Sequence, residues 1–180
     1  VNFCATAYPT VPSQHRDHAT LQVLAGYLRN GFLHSAIREK GGAYGGGASQ
    51  DASSASFRFY SYRDPRLAET LADFERSIDW LLNASHSDNQ LEEAILGVIA
   101  AMDKPSSPAG EAKAAFYNRV FHRSLEQRMR FRETVLATTL ADLRGVAERY
   151  FVGVKPSLAV ITSASAADTL EIEGLEILKI

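Results

Sequence analysis

The period of the apolar residues changes several times along this chain, and the order of those changes limits the folds open to it. Val1, Phe3, Ala5 and Ala7 alternate, which predicts a strand over residues 1–8. Leu21, Leu24, Leu28 and Phe32 then recur at helical spacing. They predict one long helix from about Asp17 to Arg38, stopped by Gly41 and Gly42. Alternation returns in ASFRFYSY, where Phe57 and Phe59 oppose Arg58, Tyr60 and Tyr62. With the glycine-rich AYGGGASQ before it, this predicts a hairpin turning through Asp51, Ser53 and Ser54.

Helical signals fill most of the rest. Asp64 followed by Pro65 predicts a capped helix start, with Leu67, Leu71, Phe74, Ile78 and Leu81 as its apolar stripe. Ser87 with Gln90, Ser124 with Gln127, and Thr139 with Asp142 have capping-box spacing, and Ser107-Pro108 marks a further start after the PSSP break. The helices so opened carry Leu91, Ile95, Val98 and Met102, then Leu125, Met129 and Leu136, then Leu143, Val146 and Tyr150. SLAVITS reads as a buried strand and LEILKI as an edge strand. Strand, helix, hairpin, several helices and strand predict an α+β fold rather than alternating βαβ units. The expected form is a two-layer sandwich of a mostly antiparallel sheet and a helix-rich layer, one domain over residues 1–180.

Composition removes several function classes. A net charge of −2 offers no basic footprint for nucleic acid or an anionic membrane, and no apolar run approaches a membrane span. The single cysteine, Cys4, reads as a small core residue on a strand. The chain opens on Val1 inside a strand without a signal-like start, and so reads as a fragment of something longer. The expected compartment is the cytoplasm.

The densest glycine cluster, in IREKGGAYGGGAS, matches neither G-x-x-x-x-G-K-[ST] nor G-x-G-x-x-G. Glycines in a strand mean close approach or a bulge, and here they flank Tyr44. Arg38 stands six residues earlier, at the end of the long helix, so both groups can meet at one mouth of a cleft. The opposing possibility is a dipole-complementing arginine and a core tyrosine. His34, four residues before Arg38, falls on the same helix face. Among the 5 histidines, His15 and His18 share a turn without a third ligand, and neither H-x-x-E-H nor H-E-x-x-H occurs. There is no G-x-S-x-G, and Glu92-Glu93 reads as a solvated face.

IREKGGAYGGGAS followed by FRFYSYRDPRLAETL resembles the carboxy-terminal half of pitrilysin/insulinase-type inverted-zincin metallopeptidases. Within that family it is most similar to the presequence-protease branch. The specific likeness covers about Ala36 to Leu71 and fits the rest more loosely. The resemblance implies two similar halves around a chamber for short unstructured peptides, with zinc on the amino-terminal half. It implies Tyr44 as a donor to the tetrahedral oxyanion and Arg38 as a donor to a substrate carbonyl. Gly45, Gly46 and Gly47 would admit a peptide close to the strand, and His34 would line the same site. The cofactor expectation is none in this chain and zinc in the missing half. The expected partners are peptide substrates and that half or a homologous subunit, with no nucleic acid and no membrane. The alternatives are a non-catalytic binding or scaffold subunit of the same architecture and an unrelated ligand-binding α+β domain.

Overall fold

The computed structural model describes residues 1–121, 123–167, 175, 176 and 178. Strand β1 (Asn2–Pro9) leads into helix α1 (His18–Leu28), which continues as a π-helix (Arg29–Lys40). The hairpin of β2 (Gly45–Asp51) and β3 (Ser56–Asp64) follows. Then come α2 (Ala68–Asn83), α3 (Asp88–Asp103), α4 (Pro108–Val120), α5 (Leu125–Ala137) and α6 (Leu140–Tyr150). Strand β4 (Ser157–Ile161) and a short α7 (Ala164–Ala167) end the described elements. The sheet order is β2-β3-β1-β4, and every pairing is antiparallel. Helices cover one side of it, so the expected α+β sandwich is the observed fold.

The register of β1 decides which of its faces is core. Tyr8 pairs with Phe57 and Thr6 with Phe59, and both phenylalanines are fully buried. Cys4, Thr6 and Tyr8 therefore point inward, while Val1 and Phe3 are exposed. Tyr8, Phe57, Phe59, Phe74 and Phe151 form one aromatic cluster, with ring centroids 4.9–6.1 Å apart. Burying a side chain of this size stabilises the fold by about 1.5–3 kcal/mol. From the helices, Leu21, Leu24, Leu28, Leu33 and Ile37 fill the space against the sheet, all at 0% exposure. Cys4 is buried in this core as expected, and burial pushes its thiol above the ordinary range.

Four sequence expectations change here. The long helix does not stay α-helical. Its second half winds more widely, and Gly31 there packs against Trp80, where a Cβ would lie 2.5 Å from the indole. Asp64 is no helix cap. It ends β3, and α2 starts at Ala68. Its buried carboxylate accepts from the Arg66 N–H at 2.9 Å and the Thr70 hydroxyl at 2.8 Å. On α5, Leu125, Met129 and Leu136 face outward, and Val135 with the partly buried Phe131 makes the contact instead. SLAVITS holds β4 as expected, but among the described residues β4 pairs only with β1 and is half-exposed. LEILKI lies for the most part outside the described residues.

The other helix-start signals hold. Capping boxes open α3 at Ser87, α5 at Ser124 and α6 at Thr139, and Ser107 caps α4 ahead of Pro108.

Candidate functional site

The π-helix delivers Arg38 and the turn after it delivers Tyr44. Ile37 is buried against the sheet, which leaves Arg38 facing out. Gly42 closes the helix at φ +79, a conformation that suits glycine. The Gly42 N–H donates to the Arg38 carbonyl at 3.0 Å and the Ala43 N–H to the Ile37 carbonyl at 3.1 Å. Each bond spans one residue more than in the α-helical form of this cap, as the wider winding requires. The next N–H, that of Tyr44, donates to the Arg63 carbonyl at 3.3 Å and ties the turn to the end of β3.

The Tyr44 side chain is 66% exposed, so the core-tyrosine reading is wrong. Its ring lies 5.6 Å from that of Tyr62, and the Arg63 guanidinium sits 5.8 Å from its centroid. Arg63 holds φ 49, a left-handed conformation that a residue other than glycine rarely adopts. Arg38 makes no ion pair or side-chain hydrogen bond among the described residues, so its fork of donors is free for a ligand. Tyr62 and Arg63 were not singled out as site residues from sequence, although both lie in the SYRDP stretch that carried the resemblance. The only signal for them was position at the strand end facing the glycines.

The glycines have structural partners within the chain. A Cβ at Gly45 would meet the Tyr62 ring. One at Gly46 would lie 2.8 Å from the Tyr60 carbonyl oxygen and 2.9 Å from Ile37, and one at Gly47 2.8 Å from the Arg29 stem. A Cβ at Gly41 would meet the Arg66 guanidinium and the Ile37 carbonyl. The close approach inferred from sequence is therefore made by Tyr62, Ile37, Arg29 and Arg66. What stays open beside them among the described residues is the outer edge of β2, which is hydrogen-bonded there to β3 alone.

Arg66 fixes this corner to the helical layer. Its guanidinium donates to the Ala36 carbonyl and to Asp73, both at 3.0 Å, and Asp73 also accepts from Arg76. His34 is exposed, with Nδ1 3.5 Å from the Glu39 carboxylate. That pair is five residues apart, the separation that π winding stacks, so the mapped contact of His34 is to Glu39 rather than to Arg38. His15 Nδ1 accepts the Asp17 N–H at 3.1 Å. Among the described residues no group of His, Cys, Asp and Glu could hold a metal ion, so the described side chains do not fit a zinc site. No described helix is long and apolar enough to cross a membrane. Neither Arg38 nor Tyr44 lines the chain's large cavity, which opens beyond the hairpin tip.

The geometry thus offers an exposed phenol and the free Arg38 guanidinium around one turn, next to an open strand edge. Such donors suit a carbonyl oxygen or an oxyanion. Comparison with known proteins gives the context. The PreP C-terminal domain family model matches residues 6–164. The mitochondrial presequence protease of Emericella nidulans is 39% identical over 181 residues, covering 100% of this chain and 17% of that protein. The presequence protease of Yarrowia lipolytica is 41% identical over 152 residues, covering 84% of this chain and 15% of its own length. The chain thus spans less than a fifth of the length of these relatives. A Helicobacter pylori protease structure superposes with a TM-score of 0.75 at 18% identity, over 88% of this chain and 40% of that one. Pitrilysin superposes with a TM-score of 0.63 at 16% identity, over 88% of this chain and 18% of that one. At those identities the structural likeness establishes the fold alone.

Proposed function

This chain belongs to the PreP C-terminal domain family, and from that premise we propose that it is the substrate-gripping part of a zinc metallopeptidase that degrades short unstructured peptides. The observation that carries the reading is the pairing of an exposed Tyr44 phenol with an unpartnered Arg38 across one short turn. Relatives named as presequence proteases support it. In this reading the zinc and the base that activates water reside in the remainder of the protein or in a homologous subunit.

The roles of the two side chains follow from when charge appears. A peptide carbonyl accepts hydrogen bonds before reaction, so Arg38 holds the substrate in the ground state as well as later. Negative charge grows on the carbonyl oxygen only during attack, so a phenol O–H aimed there acts mainly in the transition state. Arg63 and Tyr62, packed on the Tyr44 ring, hold that phenol in place. An extended peptide would add to the free edge of β2, taking its specificity from alternate side chains. Gly45, Gly46 and Gly47 serve this indirectly, by letting Tyr62, Ile37 and Arg29 close over the strand. His34 borders the same helix end as a minor contact. The cytoplasmic placement expected above competes with the mitochondrial label of the relatives, and cell fractionation decides between them.

Steady-state kinetics on a quenched fluorescent peptide, with the protein at its native length, test this reading. Arg38→Ala should raise KM as well as lower turnover, because it removes a contact made before the transition state. Unchanged KM and turnover would remove Arg38 from the site. Tight peptide binding without cleavage in zinc-loaded protein would make the chain part of a non-catalytic binding subunit instead.

A further inference from the structure

A second site lies away from Tyr44. The tip of the β2–β3 hairpin, the end of α3, α4 and the start of α5 line an open cavity of about 1150 Å3. Two wall cations are neutralised: Arg58 donates to Asp51 at 2.7 Å, and Arg132 donates to both oxygens of Asp103 at 2.6 and 2.9 Å. Lys104, Arg123 and Arg128 line the same cavity and make no ion pair among the described residues. Against them stands one wall carboxylate without such a pair, Glu111. Two wall residues also bury a polar nitrogen without a hydrogen bond, Arg123 at Nε and His18 at Nδ1. The Arg123 guanidinium lies 5.2 Å over the Phe121 ring, but buried donors in native proteins are normally bonded, so its unbonded Nε beside a roomy cavity points to an acceptor that enters it. Burial and the Arg123 charge pull the His18 imidazole down to about 4. It is therefore neutral near pH 7 and adds no charge of its own.

The charge and the donors ask for an anion, and the spacing of the cations says which kind. Phosphate favours free N–H groups at a helix start. At the start of α5 two of these groups are already taken: the Gln127 N–H donates to Ser124 Oγ at 3.2 Å, and the Ser124 N–H donates to Gln127 Oε1 at 2.9 Å. The charge of this wall sits on separate side-chain cations around a wide space, which suits carboxylate groups set apart from one another. We propose that this cavity is a carboxylate-binding site, held by Arg123, Arg128 and Lys104, for a small polycarboxylic acid or the free carboxy end of a peptide. The site stands independently of the role assigned to Tyr44.

Titration calorimetry on the protein at its native length tests it, with tricarballylate and with a tripeptide whose carboxy end is either free or amidated. Tricarballylate should bind saturably, and more weakly as salt is raised. Arg128→Ala, on an exposed stretch of α5, should weaken it about tenfold, the loss typical of one charge-assisted contact. Lys155→Ala, on the exposed loop after α6, should leave it unchanged. Binding of the free-acid tripeptide but not its amide assigns the site to peptide ends. Binding of tricarballylate with neither tripeptide assigns it to free acids. No saturable binding of any carboxylate, or binding that both Arg123→Ala and Arg128→Ala leave intact, overturns the proposal.

Discussion

The corner formed by β1, β2, β3, α1 and the π-helix differs in kind from the arm formed by α4 and α5. In the corner, almost every inward position is filled and glycines stand where another side chain of the same chain needs the room. In the arm, none of the residues of α4 is buried, and Phe116, Tyr117, Val120, Leu125 and Met129 all face outward. The corner is shaped by packing. The arm is helical because of its ends: Ser107 and Pro108 start α4, and the Ser124–Gln127 box starts α5. Cap and propensity decide that a segment is a helix, and tertiary contact decides where it sits and which face it hides. The Tyr44 site belongs to the packed region, where a side chain can be held to a geometry.

The difference is open to direct attack by matched substitutions. Phe59→Ala in the corner should destabilise the protein by about 3–5 kcal/mol, the usual cost of emptying a buried aromatic site. Phe116→Ala on α4 removes the same ring from a 63% exposed position and should stay within about 0.5 kcal/mol of the parent. Chemical denaturation measures both. Similar costs at the two sites would show that α4 is packed and would end the distinction.

A gentler pair uses one substitution with two signs. Gly41→Ala pushes a methyl into the Arg66 guanidinium and the Ile37 carbonyl, and should cost about 1–3 kcal/mol. Gly97→Ala on α3 meets nothing within 4 Å and should stabilise its helix by about 0.5–1 kcal/mol. Thermal melts that moved the same way for both would contradict the close approach assigned to the glycine cluster.

Acid separates the regions most finely, through two neighbours at the start of α1. His18, beside the cavity, is held down at about 4 by burial and then by the Arg123 charge, against an ordinary 6.5. The unfolded chain takes up that proton first, so the contribution of a neutral His18 is complete above 6.5 and is lost as pH falls towards about 4. For Asp17, burial alone would raise the carboxyl. The hydrogen bonds from Tyr150, at 2.8 Å, and from Arg149 outweigh it together and leave the group below its ordinary 3.8. Its contribution is present above 3.8 and is lost as pH falls through the lowered folded value. Stability against pH should therefore fall in two stages, with His18→Gln flattening the upper one and Asp17→Asn the lower. A single stage unaffected by His18→Gln would show that the ring is not held neutral.

The same division explains what could be read from the sequence. Each capping box is a local device within a few residues, and each appears where the spacing placed it, whereas the single Asp64 cap does not. The hairpin was legible because turn residues and alternation sit together in the chain. The inward face of β1, the contact face of α5 and the half-exposure of β4 depend on partners far along the chain, and there the local pattern misled. The π-helix packs Gly31 against Trp80, a contact between distant residues that no local signal announces. At the site, Arg38 and Tyr44 were visible through a motif, but Arg66, Tyr62 and Arg63 enter only when the sheet brings the end of β3 beside the start of β2.

The central claim is that Tyr44 donates to charge that develops on a peptide carbonyl. Tyr44→Phe keeps the ring on Tyr62 and removes the hydroxyl, so the melting temperature should hold while turnover is lost. Steady-state kinetics at full zinc occupancy in the native-length protein should show turnover down by about 10²–10³, equivalent to roughly 2.7–4 kcal/mol, with KM nearly unchanged. Turnover close to that of the parent, in a variant equally folded and equally loaded, would contradict the account.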